Sequence, residues 1–342
     1  MKKIKICYVI SSLSNQGPPN VLYNIIQYMD FSIFEVSIIT MVPEQEISRI
    51  EEFRVLPIRI IQMSPDKIQN PIAMFFTLKK SVERINPDIL HTHCPRSMFL
   101  VPFLSSKYKK IETVHIFPGI QQKVMYGKWK GKIVIALSHF FTKKMDLPIA
   151  CSESVAQSYW DEQHYKMKAI PNGSSLSLWK YDEEQKAKLR KELGLKDDRI
   201  GLLLLGNGEL YDELKKHETE NLKMPGFKSN IYDYLKASDY YISASDVEGL
   251  ANTLLESMTV GLPCVLSDIP SHKEVLSKAK QTIGYTFNNK DMNGLKNAIH
   301  DILKIDENCT RIYIQSLFDK YYTAQKMSES YQKAYIDLVN NL

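Results

Sequence analysis

The chain has 342 residues, a length that suits two domains better than one hydrophobic core. Hydrophobic residues make up 44% and charged residues 24%, which is typical of a globular protein and excludes disordered and fibrous classes. No apolar run approaches the roughly 18 residues of a membrane span. The five cysteines are scattered without a C-x-x-C pair, so we expect neither a disulfide framework nor a structural zinc site. The basic N-terminus is typical of a first strand rather than a signal peptide, and we expect a cytoplasmic protein.

The net charge of +5 is unevenly distributed. Residues 1–150 contain 20 Lys and Arg against 11 Asp and Glu, and nine of those basic residues fall between Lys107 and Lys144. Three interpretations stay open: a solvated basic face, contact with an anionic membrane, or a phosphate-bearing substrate near the first half. Nucleic acid is disfavoured as a partner, because neither a helix-turn-helix nor a zinc pattern is present.

The first 150 residues alternate short apolar runs with helical periodicity. The pattern predicts strands at Ile4–Ser11, Glu35–Thr40, Asp88–His93 and Ile111–His115, and helices at Pro19–Met29, Ala73–Ile85 and Met98–Ser105. Such alternation favours βαβ units, a parallel sheet and helices on both faces. Ligands of open α/β sheets bind beyond the carboxyl ends of the strands, so the residues at those ends matter most.

A second set of elements follows Cys151. Here the pattern predicts helices at Ser154–Gln163, Glu183–Leu193, Leu210–Lys216, Ile231–Ala237, Leu250–Val260, Met292–Leu303 and Ala324–Leu338, with strands at Met167–Ile170, Ile200–Leu205, Tyr240–Ala244 and Pro263–Ser267. We therefore expect two doubly wound domains, at residues 1–160 and 161–322, and a closing helix at 323–342 that packs back on the first domain. A cleft between two such domains suits a nucleotide and a second substrate.

The most specific motif is a pair of glutamates, Glu248 and Glu256, eight positions apart. The first lies in a loop after a predicted strand and the second lies inside the next helix. Asn252 or Thr253 can cap that helix, whose free amides would then form an anion site. A carboxylate two turns into the helix can accept hydrogen bonds from the vicinal hydroxyls of a ribose.

With this motif the chain resembles the retaining GT-B glycosyltransferases of family 4 and group 1, which use nucleotide-sugars in polysaccharide and glycolipid synthesis. The resemblance covers nearly the whole chain and includes the segments Ser11–Ile25, Pro87–His93, Thr113–His115, Ala150–Ser154, Ile170–Gly173, Gly206–Leu210, Pro225–Phe227 and Asp239–Glu256. It implies an N-terminal acceptor-side domain and a C-terminal donor domain.

The resemblance also implies roles for individual residues. His115 and Glu248 would be catalytic, at the donor sugar, and Glu256 would hold the ribose. The remaining donor-binding residues would be Gly17, Gly206, Gly249, Leu250, Asn252 and Thr253, and the acceptor-side residues would be His93 and Arg96. Family members work without a metal or other cofactor. We accordingly expect none: there is no Asp-x-Asp pattern, and the His91-x-His93 pair lacks a third ligand by spacing.

Gly206-x-Gly208 alone could suggest a dinucleotide fingerprint, but the third glycine of that fingerprint is Tyr211 here. A strand-to-helix turn that lines the donor cleft is the better interpretation.

The chain departs from the family pattern at the start of the second domain. Family members have a first strand that ends in a Gly-Arg turn, with a Lys a few residues later, and this pair neutralises the donor diphosphate. Here the segment before Ile200 leads directly into the family's next strand, so a βα unit of about 30 residues is missing. Arg199 is no obvious replacement, and Lys215 and Lys273 are candidates without a sequence argument.

The leading hypothesis is transfer of a sugar from a UDP-sugar or similar donor to a saccharide or lipid-linked acceptor, with retention, in capsule, exopolysaccharide or glycolipid synthesis. Because the cationic pair is missing, we expect weak or absent turnover. The alternatives are an impaired relative that binds a saccharide or a partner transferase, and a nucleotide-sugar epimerase. Contact of the basic first domain with the inner face of the plasma membrane is a further expectation.

Overall fold

The computed structural model describes residues 2–63, 70–175, 182–195 and 200–340. Its largest sheet has seven parallel strands: β1 (Ile4–Ile10), β2 (Phe34–Thr40), β3 (Arg59–Gln62), β4 (Ile89–Thr92), β5 (Lys109–Val114), β6 (Leu147–Ala150) and β7 (Lys168–Ala169). The order is β3-β2-β1-β4-β5-β6-β7, so the winding reverses between β1 and β4. This topological switch point positions the loops described below.

Helices lie between these strands. They are α1 (Gly17–Ile26), α2 (Ile50–Arg54), α3 (Pro71–Ile85), α4 (Pro95–Leu100), α5 (Ile120–Tyr126), α6 (Lys128–Thr142) and α7 (Glu153–Gln163). The predicted alternation of strands and helices is confirmed, although the sequence pattern missed α2, β3, α5, α6 and β6. Strand β7 pairs with β6 and so belongs to the first sheet, beyond the boundary at residue 160 that we expected.

Both faces of the first sheet are covered, as the strand sequences predict. Along β1 the side chains of Ile6, Tyr8 and Ile10 enter one buried cluster. Cys7 and Val9, which alternate with them, enter a second cluster on the opposite face. This alternation follows from the period of two in a strand and explains why the strand sequence is continuously apolar.

The second half contains two smaller parallel sheets among the described residues. One is β9-β8, formed by β8 (Leu202–Leu205) and β9 (Leu222–Gly226), and the other is β10-β11-β12, formed by β10 (Tyr241–Ser243), β11 (Cys264–Ser267) and β12 (Gly284–Phe287). The helices are α8 (Glu183–Leu193), α9 (Tyr211–Lys215), α10 (Ile231–Lys236), α11 (Asn252–Thr259), α12 (Pro270–Ser277), α13 (Met292–Ile302), α14 (Glu307–Tyr321) and α15 (Ala324–Asn340).

The strands of the second half are divided between two sheets and do not form one continuous doubly wound sheet. A doubly wound sheet runs in the order 3-2-1-4-5-6. Among the described residues, β9 pairs with β8, and β10, β11 and β12 form a separate sheet, with no strand pairing between the two. All four leucines of β8 are incompletely buried, and Leu202, Leu204 and Ile242 of β10 are more than a third exposed. Apolar strands of a parallel sheet are normally covered on both faces.

The closing helix α15 returns to the first domain, as the sequence predicts. It packs on α1, and the hydroxyl of Ser328 donates to the carbonyl of Ile25 at 2.6 Å. Deeper in the interface, the Tyr335 hydroxyl lies 2.9 Å from both the Tyr8 hydroxyl and His91 Nδ1. The other ring nitrogen of His91 lies 2.9 Å from the Thr113 hydroxyl. This buried hydrogen-bond network therefore links α15 to β1, β4 and β5.

We predict that Tyr335→Phe lowers the free energy of unfolding by about 1–3 kcal/mol, because it leaves buried polar atoms of Tyr8 and His91 without their partner. Urea unfolding measures this change. Tyr28→Phe, at an exposed position, is the control and should change the free energy by less than about 0.5 kcal/mol. Equal effects of the two substitutions would contradict a stabilising network.

Candidate active site

The candidate site begins at the carboxyl ends of the first-domain strands. β1 ends at Ile10, β4 at Thr92 and β5 at Val114, and because the strands are parallel their following loops meet at one edge. Gly17 starts α1 after the β1 loop, while His93 and His115 directly follow β4 and β5. Three of the sequence-predicted site residues are therefore placed beside the switch point by the topology alone.

The two histidines contact each other. His93 Nδ1 lies 3.2 Å from His115 Nε2, at a distance at which one ring donates to the other. Burial lowers the pKa of both rings, that of His115 to about 4, and the neighbouring histidines lower that of His93 further. Both rings are therefore neutral near pH 7. Within the described part of the chain, the buried Nε2 of His93 has no hydrogen-bond partner.

The loop that carries Glu248 presses against His115. A Cβ atom added to Gly249 would lie 1.8 Å from the His115 carbonyl oxygen and 2.7 Å from Cys151 Sγ. Only a residue without a side chain fits this approach between the two halves of the chain. The Glu248 carboxylate accepts a hydrogen bond from the Ser245 hydroxyl at 3.0 Å, and burial raises its pKa.

Helix α11 begins directly after this loop, but not in the predicted way. Its N-cap is Ala251, and neither Asn252 nor Thr253 caps it with a side chain. The Thr253 hydroxyl instead lies 2.8 Å from the Tyr241 hydroxyl, while Asn252 Nδ2 donates to the Gly17 carbonyl at 3.5 Å. The expected capping by Asn252 or Thr253 is wrong, because these side chains bind neighbouring elements and leave the first amides of α11 without a side-chain cap.

Glu256 lies further along α11. Its burial raises the pKa of the carboxyl to about 7, and a hydrogen bond from Tyr232 and the charge of Arg49 partly offset the rise. Arg49 belongs to the first half of the chain, where its Nη1 donates to Asn20 Oδ1 at 2.7 Å and its guanidinium lies 4.5 Å from the centre of the Tyr23 ring. Glu256 is thus balanced between the neutral and charged forms at physiological pH.

Other sequence-predicted residues lie in less direct positions. Gly206 directly follows β8, has a φ of 132° and donates its amide to the Gly226 carbonyl at 3.0 Å, which confirms a strand-to-helix turn. Arg96 is exposed on α4 and donates to the Ser11 hydroxyl at 3.3 Å. The side chain of Leu250 is buried in the core shared with Val114 and Tyr159, so only its backbone faces the cleft loops.

The cationic residues considered as replacements for the missing pair are engaged elsewhere. Lys215 donates to the Met224 carbonyl at 2.6 Å and pairs with Glu218 at 2.9 Å. Lys273 pairs with Asp268 at 2.5 Å. Arg199 lies outside the described residues. Neither lysine contacts Glu248 or Glu256 through a hydrogen bond or ion pair in the described structure.

Sequence reasoning missed several residues that organise the site. Asn172 Nδ2 donates to the Leu250 carbonyl at 3.2 Å, and Cys151 Sγ donates to the His115 carbonyl at 3.2 Å. Glu274 on α12 accepts from the amides of Glu153 and Ser154 at 3.0 and 2.7 Å and so binds the start of α7. Asn172 and Cys151 lie within segments that carry the family resemblance, and that resemblance is the sequence signal that could have identified them. Glu274 and Arg49 follow no motif.

The described ranges contain no group of three or more His, Cys, Asp or Glu side chains arranged to hold a metal ion. None of their helices is both long and apolar enough to cross a membrane.

Comparison with known proteins identifies the family. The family "Glycosyltransferase Family 4" matches residues 16–178, and "Glycosyl transferases group 1" matches residues 184–316. The UDP-Gal:alpha-D-GlcNAc-diphosphoundecaprenol alpha-1,3-galactosyltransferase of Escherichia coli is 24% identical over an alignment of 314 positions, covering 78% of this chain and 79% of that protein. The E. coli O-antigen biosynthesis glycosyltransferase WclY is 24% identical over an alignment of 391 positions, covering 98% of this chain and 99% of that protein.

Solved structures show the same fold. HepE of Anabaena in complex with UDP has a TM-score of 0.75 at 14% identity, with 98% of this chain and 100% of that chain covered. Sucrose-phosphate synthase of Thermosynechococcus elongatus has a TM-score of 0.77 at 14% identity, with 99% and 100% covered. Together with the seven-stranded parallel sheet and the paired family matches, these similarities show that the chain belongs to the GT-B glycosyltransferases.

Proposed function

We propose that this protein transfers a sugar from a UDP-sugar to a saccharide or lipid-linked acceptor in the cytoplasm, in polysaccharide or glycolipid synthesis. The observation that carries the proposal is the contact of Gly249 with the His115 carbonyl, because it brings the Glu248 loop against the histidine pair of the other domain. The names of relatives agree: one uses UDP-Gal on a diphosphoundecaprenol-linked sugar, and another is an alpha-monoglucosyldiacylglycerol synthase of Streptococcus pneumoniae.

Each residue of the candidate site has a separate role in this proposal. His115 and Glu248 flank the donor sugar, and His93 lies behind His115 on the acceptor side, with its Nδ1 3.2 Å from His115 Nε2. The uncapped amides at the start of α11 and the turn at Gly249 face the diphosphate, where they compensate its charge. Glu256 accepts hydrogen bonds from the ribose. We propose retention of configuration and a reaction without a metal, as the family resemblance implies.

We also propose that turnover is slow because the second domain lacks its first strand, its turn and the following helix. In support, the described second-domain strands form two separate sheets, β9-β8 and β10-β11-β12, and the missing strand would lie between them. The alignment with the O-antigen relative has 391 positions against the 342 residues of this chain, so part of that relative has no counterpart here. Removal of one preorganised charge-stabilising donor costs about 3 kcal/mol of transition-state stabilisation. Two missing cationic groups therefore reduce the rate strongly.

The pH dependence of donor binding tests the role of Glu256. Its carboxylate form accepts hydrogen bonds from both ribose hydroxyls, and the raised pKa of about 7 means that this form is lost as the pH falls through 7. We expect UDP-glucose to bind about tenfold more weakly at pH 6 than at pH 8. Both phosphates of UDP-glucose are diesters, so the ligand does not titrate in this range.

Calorimetry at both pH values measures this change. Glu256→Gln should bind weakly at both, with no pH dependence between 6 and 8. His115 stays neutral throughout that range, since its pKa is about 4. If Glu256→Gln still bound UDP-glucose tenfold more weakly at pH 6 than at pH 8, the role of Glu256 in ribose binding would be contradicted.

Transfer itself is tested by incubating the purified protein with UDP-glucose, UDP-galactose or their N-acetyl forms and a lipid-diphosphate-linked monosaccharide. We expect slow formation of a disaccharide whose new linkage has the anomeric configuration of the donor by NMR. His115→Ala and Glu248→Gln should abolish it, whereas His300→Ala, at an exposed position on α13, should not. An inverted product, or equal rates in all three variants, would contradict the proposed roles.

A second candidate function is donor or saccharide binding without turnover. The split of the second-domain strands into two sheets favours it, because the absent central strand carries the family's diphosphate-binding pair. Binding of a nucleotide-sugar with no transfer to any acceptor in the panel distinguishes this function from slow catalysis.

A further inference from the structure

Helices α5 and α6 form a hairpin with an unusual surface. A Cβ added to Gly131 would lie 2.7 Å from the Lys123 Cα, which shows how closely the two helices pack. On α6 the side chains of Trp129, Ile133, Leu137 and Phe140 follow one another at helical spacing, and each is more than 40% exposed. Val124 and Met125 of α5 add further exposed apolar surface. A contiguous apolar face of this size on a globular protein marks an interaction site.

The same hairpin is strongly basic. Its exposed lysines are Lys123, Lys128, Lys130, Lys132, Lys143 and Lys144, the last two at the end of α6. The hairpin contains no acidic residue, and Asp146 follows only after it. Lys132 and Lys144 lie 5.6 and 5.3 Å from the ring centres of Trp129 and Phe140. Lysines therefore border the apolar stripe, as in helices that lie in the interface of an anionic bilayer.

A groove beside the hairpin adds a site for an anionic group. Its volume is about 540 Å³, and Lys123, Lys132 and Lys143 line it together with Phe140. Lysines spaced along an apolar wall suit the phosphates of neighbouring lipid headgroups whose acyl chains contact that wall. A soluble partner protein with an acidic surface would complement the lysines but not the exposed apolar stripe between them.

We propose that the α5–α6 hairpin binds an anionic phospholipid bilayer, with the stripe from Trp129 to Phe140 inserted at the level of the acyl chains and the lysines at the phosphates. The hairpin also has a functional position. It starts at Ile120, after a loop that begins at His115. A lipid-linked acceptor in that bilayer would therefore enter beside the histidine pair. This last step rests on the proposed function, whereas membrane binding does not.

Vesicle co-sedimentation tests the proposal without any turnover. We expect the protein to sediment with vesicles of phosphatidylglycerol and phosphatidylcholine, and to remain in solution with phosphatidylcholine alone. Replacement of Lys128, Lys130 and Lys132 by Glu should weaken binding by at least about a hundredfold, since each lysine near an anionic surface contributes about fivefold. Trp129→Ser with Ile133→Ser should weaken it at least tenfold, and the matched exposed pair Ile312→Ser with Met292→Ser should not.

The depth of Trp129 gives an independent readout. Trp160→Phe with Trp179→Phe leaves Trp129 as the single tryptophan. Its fluorescence should shift to shorter wavelength and be quenched by brominated acyl chains in anionic vesicles. Absence of sedimentation and of quenching would overturn the proposal. So would a dimer in solution that the Trp129 and Ile133 substitutions dissolve, because the stripe would then be an interface between two copies. Failure of transfer with intact vesicle binding would count only against the proposed function.

Discussion

Insertion of the strand, turn and helix that we propose to be missing between α8 and β8 should raise the rate of sugar transfer by at least about a hundredfold. The insert is the corresponding segment of the E. coli O-antigen relative, which provides the Gly-Arg turn and the following Lys that the family resemblance implies. The physical reason is twofold. The strand would complete the winding between β8 and β10, and the two cations would face the donor diphosphate.

A matched insert separates these two effects. The same segment with its Arg and Lys replaced by Ala should protect the amides of β8 from hydrogen exchange as well as the unmodified insert, because the strand pairing is the same. It should leave the transfer rate close to that of the original chain. Equal rates with both inserts would show that the missing cations do not limit turnover, and unchanged exchange of β8 with both would show that the strand position is not vacant.

Gly249→Ala should both destabilise the protein and abolish donor turnover. The added Cβ would lie 1.8 Å from the His115 carbonyl oxygen, which is backbone and cannot move aside as a side chain does. We expect a loss of about 2–4 kcal/mol, seen as a lowering of the melting temperature by roughly 5–10 °C. The displacement separates the Glu248 loop from His115, so transfer should fall below detection.

Gly208→Ala is the control for this substitution. Gly208 lies in the turn after β8, and nothing lies within 4 Å of the position of its added Cβ. Its melting temperature should stay close to that of the unmodified protein. If the two alanine variants melted alike, the close approach of the two domains at Gly249 would be contradicted.

The alternation of strands and helices was accessible from the sequence because both faces of each central strand are buried. That burial leaves continuous apolar runs such as Ile4–Ile10, which stand out between polar loops. The same reasoning did not predict the α5–α6 hairpin. Its exposed Trp129 and Ile133 blur the contrast between apolar and polar faces that identifies a helix.

Only part of the candidate site could be predicted from the sequence. The sequence placed His93 and His115 at strand ends, and the parallel sheet then forces them together. The sequence could not predict how α11 is capped. The Asn252 side chain binds the Gly17 carbonyl instead, and this contact joins residues 235 positions apart. The neighbourhood of Glu256 and Arg49 is long-range in the same way, and no local pattern encodes it.

The most direct test of a working donor site is the thermal stabilisation of the protein by UDP-, GDP- and ADP-sugars. A ligand at a hundred times its Kd adds about 2.7 kcal/mol to the stability of the state that binds it. We predict a clear rise in melting temperature with a UDP-sugar, its loss in Glu256→Ala, and its persistence in Glu162→Ala, a change at an exposed glutamate of α7. A flat response across all donors in the unmodified protein would contradict the donor site around Glu248 and Glu256.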